Sequence, residues 1–332
     1  MYRKTHIASL LITTLLFCSC SIIDEDLSKC GRENKIDYQL RLLTNIQSEL
    51  ETELSATAEE REVAEALRAR LAGIFTETAH DVDLSFYNTT DLARDKHEEH
   101  IMDASQASYT IYLPVREYIH LALANIVNAA NVRLTDDNSA AQSRLQQTAG
   151  DTIGSHTTGL FTARLPISVT AGEDKTFNVK LYMANSAAAL VIDTAGVSGI
   201  KDIKIYSSGF AESFALRDST YAYGQKAPVV RSVAVPMNHG HYVCCYTVNF
   251  PSYQQPVVRA TEEYWRFMAY VTLPDGTITE NIISIQSPLL PEHLRVVKMK
   301  LKDDGGLQAV TGDVGVSVKL DWKQGGTFEP EL

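Results

Sequence analysis

The stretch Phe161-Thr162-Ala163-Arg164-Leu165-Pro166-Ile167-Ser168-Val169, then Thr170-Ala171-Gly172-Glu173-Asp174, then Lys175-Thr176-Phe177-Asn178-Val179-Lys180-Leu181-Tyr182-Met183 decides the class of fold. Phe161, Ala163, Leu165, Ile167 and Val169 share one face, and so do Phe177, Val179, Leu181 and Met183. A helix would need apolar residues every three or four positions. Here they recur every second position, the period of a half-buried antiparallel strand. The polar segment between the two runs, with its glycine, is a turn.

The same period extends outward in both directions. Val82, Leu84 and Phe86 alternate with Asp81, Asp83 and Ser85. Ile119, Leu121 and Leu123 follow, and later Tyr242, Cys244, Tyr246, Val248 and Phe250. Val314, Val316, Val318 and Leu320 make the last such face. Thr194-Ala195-Gly196 and Pro274-Asp275-Gly276 punctuate these strands as turns. Many short strands separated by turns predict a mainly β protein of sandwich type. One segment breaks the period. Thr57 precedes Glu60 by three residues, a capping box, and Val63, Leu67, Leu71 and Ile74 recur at helical spacing. This predicts a helix over 58–72, with Gly73 at its C-terminal end. A shorter helix is expected over 90–100, and a long polar loop over 135–158.

The N-terminus carries an export signal. Arg3 and Lys4 precede an apolar core from Ile7 to Phe17, too short to span a bilayer as a mature helix. The core ends at Ser19-Cys20, a small residue before a cysteine, which predicts cleavage and lipidation at Cys20. The acidic run Asp24-Glu25-Asp26 resembles the segment that directs lipoproteins of Bacteroidota to the outer face of the outer membrane. The expected organisation is a signal peptide at 1–19, a tether at 20–34, one domain at 35–171 and a second at 172–332.

Composition restricts the alternatives. The 332 residues carry a net charge of −11, and loss of Arg3 and Lys4 makes the mature chain more acidic still. No cationic stripe exists to displace counterions from a nucleic acid, so no nucleic-acid partner is expected. Candidate chemistry is sparse. His97-Glu98-Glu99-His100 spaces its histidines three apart, where a zincin needs four, and reads as a solvated helix end. His239-Gly240-His241 has no third ligand nearby in sequence. Ser155-His156 lacks a nucleophile elbow, and Glu262-Glu263 precede an aromatic strand of core type (Tyr264, Trp265, Phe267, Tyr270). The expectation is no enzyme, no catalytic residue, no metal and no cofactor. Neighbouring Cys244 and Cys245 face opposite ways on a strand, so they are poor partners for a shared disulfide. Asp151-Thr152-Ile153, Asp193-Thr194-Ala195 and Asp218-Ser219-Thr220 resemble short O-glycosylation sites of exported proteins.

Five blocks together resemble a known family. They are Asp24-Glu25-Asp26-Leu27-Ser28-Lys29-Cys30, Tyr118-Ile119-His120-Leu121-Ala122-Leu123-Ala124-Asn125, Leu160-Phe161-Thr162-Ala163-Arg164-Leu165-Pro166, Tyr182-Met183-Ala184-Asn185-Ser186, and the closing strand 313–322. In this order they resemble the FimB-like family of fimbrial anchor and accessory subunits of Bacteroidales, which serve type V pili. The resemblance covers nearly all of the mature chain, and the 48–75 segment is a local elaboration. It implies two tandem transthyretin-like β-sandwich domains with a helical insertion in the first. It also implies an outer-membrane lipoprotein that anchors or terminates a fimbrium. Its partners would be stalk or accessory subunits of that fimbrium, joined by strand exchange. An anchor of this kind would keep its first strand and donate a strand. Val314, Val316, Val318 and Leu320 mark the candidate, either as a donor or as the closing strand of their own domain, with 301–310 as a further candidate upstream. The competing reading is a surface glycan-binding lipoprotein, in which an exposed Trp265 or Trp322 would stack on sugar.

Overall fold

The computed structural model describes residues 34–43, 54, 57–75, 79–101, 108–237, 240–257, 262–310 and 314–320. Cys20, Cys30, Trp322 and the signal segment lie outside them.

The first strand, β1 (Asn34–Leu43), precedes the helix α1 (Ala58–Ala72). Then come β2 (Asp81–Asn88), β3 (Arg94–Ile101), β4 (Ser108–Leu113) and β5 (Glu117–Ala124). Three short strands follow: β6 (Val132–Thr135), β7 (Arg144–Gln147) and β8 (Thr152–Gly154). β9 (Phe161–Ser168) and β10 (Lys175–Met183) flank the turn at 170–174. β11 (Ser186–Asp193) and β12 (Asp202–Ser208) lead into β13 (Ser213–Ala215), β14 (Thr220–Ala222), β15 (Val229–Arg231) and β16 (Val233–Val235). The rest are β17 (Tyr242–Asn249), β18 (Trp265–Thr272), β19 (Ile278–Ile285), β20 (Leu294–Leu301), β21 (Leu307–Ala309) and β22 (Val314–Leu320).

These strands make four sheets: β3-β2-β5-β9-β10-β1-β4, β16-β17-β11-β20-β21, β22-β19-β18-β12-β15-β8 and β14-β13-β7-β6. The protein is mainly β, as the alternation predicts. In the seven-stranded sheet, β9 and β10 pair only at Thr162–Tyr182 and Phe161–Met183. Their hairpin is therefore open toward its turn. Its two flanks, β3-β2-β5-β9 and β10-β1-β4, contribute to one shared core: Val82, Leu84, Phe86 and Ile167 from one, Ile36, Ile111, Val179 and Leu181 from the other.

The helix follows its sequence signals. Thr57 Oγ1 accepts from the Glu60 amide at 3.0 Å, and Glu59 and Glu60 in the first turn and Arg70 in the last complement the helix dipole. Val63, Leu67 and Leu71 are buried in the same core, which also takes Ala187, Ala189, Val191, Cys244 and Val248 from one face of the five-stranded sheet. The opposite face of that sheet (Ala188, Leu190, Ile192, Cys245, Val297) packs on Phe267, Ala269, Val271, Ile283 and Ile285 of the six-stranded sheet. Strand β11 is thus apolar on both faces, bound antiparallel to β17 and parallel to β20. A third core (Tyr87, Leu121, Leu123, Leu145, Phe214) joins the outer face of β2 and β5 to the four-stranded sheet.

Two expectations need correction. Residues 94–101 form β3, not a helix, because seven of their positions from Arg94 to Ile101 register against β2. The expected loop at 135–158 contains β7 and β8. Gly73 does end the helix as expected, in the right-handed region with φ −72°. Pairing also crosses the expected boundary at 171/172. β10 forms a parallel ladder with β1 over Ile36–Leu43, β8 joins β15, and β13 joins β7.

Candidate functional site

For a mainly β chain, sheet edges are the first candidates, because an edge strand presents unpaired N–H and C=O groups. The edges are β3 and β4 in the seven-stranded sheet, β16 and β21 in the five-stranded, β22 and β8 in the six-stranded, and β14 and β6 in the four-stranded. The candidate strand from the sequence is the edge strand β22. It runs antiparallel to β19, with Val314 opposite Ile285, Val316 opposite Ile283, Val318 opposite Asn281 and Leu320 opposite Thr279. All four opposing residues are buried. The upstream candidate, 301–310, ends β20 and forms β21, which pairs back on β20. Its chain then passes from the edge of one sheet to the edge of the next.

At the other end of the chain, β1 lies inside a sheet. It pairs with β10 on one side and with β4 on the other, Asn34 opposite Leu113 through Gln39 opposite Ser108. Asn34 also locks the neighbouring turn. Its Nδ2 donates to the Thr170 carbonyl at 2.7 Å, and its Oδ1 accepts from the Gly172 amide at 3.3 Å.

The residues considered for chemistry are held in structural roles. Ser155 Oγ accepts from the Val248 amide at 2.9 Å. His156 is buried, bonded at Nδ1 to Asn185 Nδ2 at 2.8 Å, and burial lowers its pKa to about 3. Glu263 is buried and paired with Arg266, and Ser284 donates to its other oxygen. Trp265 is 1% exposed, with Nε1 donating to the Ser287 carbonyl at 3.1 Å, so it offers no sugar platform. Cys244 and Cys245 are both buried free thiols on opposite faces of β17, and burial pushes the Cys245 thiol up to about 12 and Cys244 higher still. His241 lies 3.2 Å from Asp193 Oδ1 and 3.6 Å from Glu59 Oε2, tying β17 to β11 and α1, while His239 is outside the described residues. His97 and His100 fall on opposite faces of β3, so the two do not act together. His97 instead meets Asp83 of β2, 2.8 Å away, a partner that sequence spacing could not reveal.

A cleft of about 610 Å³ opens beside the paired end of the β9–β10 hairpin. Arg164, Asn178, Lys180 and Tyr182 face it from the two strands, with Tyr221 and Glu292 beyond. The Tyr221 hydroxyl donates to the Ala184 carbonyl at 3.0 Å.

A family model described as fimbrillin-A associated anchor proteins Mfa1 and Mfa2 matches residues 63–229, half of the chain. The chain belongs to this anchor family. The anchor-family match begins inside α1 and ends at the first residue of β15, so it spans the seven-stranded sheet from β2 to β10. Solved structures share the fold at low identity. A candidate adhesin from Bacteroides ovatus is 12% identical, with a TM-score of 0.54, covering 92% of this chain and 99% of its own. A second candidate adhesin from Bacteroides ovatus is 10% identical, with a TM-score of 0.53, covering 87% and 97%. A candidate polysaccharide-binding protein from Bacteroides thetaiotaomicron is 10% identical, with a TM-score of 0.52, covering 88% and 99%. No curated protein matches the chain by sequence. Membership bears out the resemblance to fimbrial anchor subunits, and the protein is a fimbrial anchor or accessory protein.

Proposed function

We propose that this chain is a lipid-anchored outer-membrane subunit that ends a fimbrium at the cell surface and joins a stalk pilin by strand exchange. The observation that carries the reading is the position of β1. It is hydrogen-bonded on both sides, to β10 and to β4. A subunit whose own first strand fills that place leaves no vacancy there for a neighbour's strand. Fibre growth would stop at such a subunit, which suits one fixed to the membrane. The edge strand β22 supplies the complementary element, since strand addition needs an accessible edge and alternate side chains that fill pockets. Attachment rests on Cys20, where acyl chains contributing ~0.8 kcal/mol per buried methylene would hold the protein durably.

Phase partition of whole-cell extracts tests the reading. The wild-type protein is expected in the detergent phase, and Cys20→Ala in the aqueous phase, with fimbriae shed into the medium. Antibody to the chain should label each intact fibre at its cell-proximal end. A Cys20→Ala protein that partitions like wild type would overturn lipid anchoring. Label along the shaft would overturn the terminal position.

A further inference from the structure

We propose that Asp83, His97 and Glu99 form a binding site for one divalent cation of the zinc class at the edge of the seven-stranded sheet. Three separate observations lead there. The first is proximity. One ligand atom from each residue lies within 4.8 Å of the other two, the sole such trio among the described residues. His97 Nε2 is 2.8 Å from Asp83 Oδ2 and 3.6 Å from Glu99 Oε1.

The second is an excess of carboxylates over the single imidazole that contacts them. Asp83 and Glu99 are direct cross-strand partners in the β2–β3 ladder, and like charges so placed destabilise a sheet. Asp81, two residues back on the same face of β2, is 2% exposed; its Oδ1 accepts from the Ile126 and Val127 amides, and its Oδ2 has no hydrogen-bond partner among the described residues. The Asp83–Glu99 pair thus meets one imidazole, with the Asp83 side chain buried. Burying such groups is costly without a counter-charge. A divalent cation supplies it.

The third is the form of the site. Asp83 Oδ1 accepts from Ser85 Oγ at 3.2 Å, which fixes the carboxylate as outer partners do in metal sites and leaves Oδ2, 2.8 Å from His97 Nε2, beside the other two ligand atoms. Exposure rises from 8% at the Asp83 side chain through 24% at His97 to 71% at Glu99, a buried floor with one open side where water completes the coordination. One imidazole nitrogen with two carboxylate oxygens suits zinc, whereas calcium takes oxygen ligands alone. Binding would clamp the edge strand β3 to β2. The inference does not depend on the fimbrial reading.

Titration of the metal-free mature chain with zinc chloride, read by calorimetry, tests it. The expected result is one zinc per chain, with calcium binding at least about 100-fold more weakly. His97→Gln and the exposed Glu99→Gln should each weaken zinc binding by about tenfold or more. His100→Gln, on the opposite face, and His241→Gln, in the other histidine–carboxylate cluster, should leave it unchanged. Glu99→Gln keeps the test valid should His97→Gln fail to fold. Absence of saturable zinc binding below about 1 mM, a Kd whose binding energy is only about 4 kcal/mol, would overturn the proposal. Binding indifferent to both variants, or lost with His241→Gln, would overturn it as well.

Discussion

His120 and His156 are fully buried, and their hydrogen bonds define which ring nitrogen carries the proton. His120 Nδ1 lies 3.0 Å from the Ser85 carbonyl, which can only accept, so Nδ1 is protonated. His156 Nδ1 faces the Asn185 amide nitrogen at 2.8 Å, which donates, so its proton sits on Nε2. Burial depresses both, His120 to about 4 and His156 to about 3. The folded state thus keeps them neutral, while the unfolded chain protonates near pH 6.5. Their stabilising contribution is complete above that value and is lost as pH falls toward 4. Each should cost about 1.4 kcal/mol per pH unit in this window, or about 2 kcal/mol between pH 6.5 and 5. Asp81 and Asp83, raised by burial, act in the opposite sense, from the ordinary carboxylate range upward. The urea midpoint should therefore fall between pH 7 and 5, and a His120→Gln, His156→Gln double variant should flatten the slope. An unchanged slope in that variant would show that neither ring is the sensor. Such roles were not legible in sequence. His120 reads as one polar position in an alternating strand, and only the fold stacks it on Phe86 at 4.2 Å.

The elements show why some signals were readable and others were not. The helix was fully legible over 58–72, because its cap and its apolar stripe are both local in sequence. Thr57→Ala should remove the bond to the Glu60 amide and cost about 1 kcal/mol, measured as a lower urea midpoint. Gly73 offers a contrasting test. Its backbone is right-handed, and an added Cβ would meet nothing within 4 Å. Gly73→Ala should therefore stabilise by about 0.4–1 kcal/mol through the unfolded chain, whereas a left-handed cap would have made it harmful. Strand β3 was misread for the opposite reason. Its sequence from Arg94 to Ile101 has no apolar face of its own, and its strand form comes from the ladder with β2. Likewise β8 pairs with β15, from far along the chain, and β7 lies between nearby β6 and distant β13. A charged edge strand reads as helix or loop until its partner is known.

At the scale of the molecule, β11 divides the two largest cores. Alternating strands predict sheets with one wet face, yet β11 is buried on both, and the two cores it divides bind the helix side to the six-stranded sheet. That six-stranded sheet ends in β22, whose register sets position 316 opposite Ile283, itself fully buried. Direct cross-strand positions share a face, so position 316 registers with Ile283 and position 317 with Ile282, on the opposite face of β19. Burial of such a valine is worth about 1.5–3 kcal/mol, and a carboxylate there would add a desolvation cost. Val316→Asp should impair fimbrial assembly strongly, and Ser317→Asp should be mild. Melting of the isolated protein then distinguishes two roles. If β22 closes its own sheet permanently, Val316→Asp lowers the melting temperature. If β22 leaves β19 to pair with a stalk subunit, the isolated variant melts near the wild-type value but fails to retain that subunit in a pull-down. Equal tolerance of aspartate at 316 and 317 in both measurements would mean that the β22 face contributes neither to the core nor to assembly.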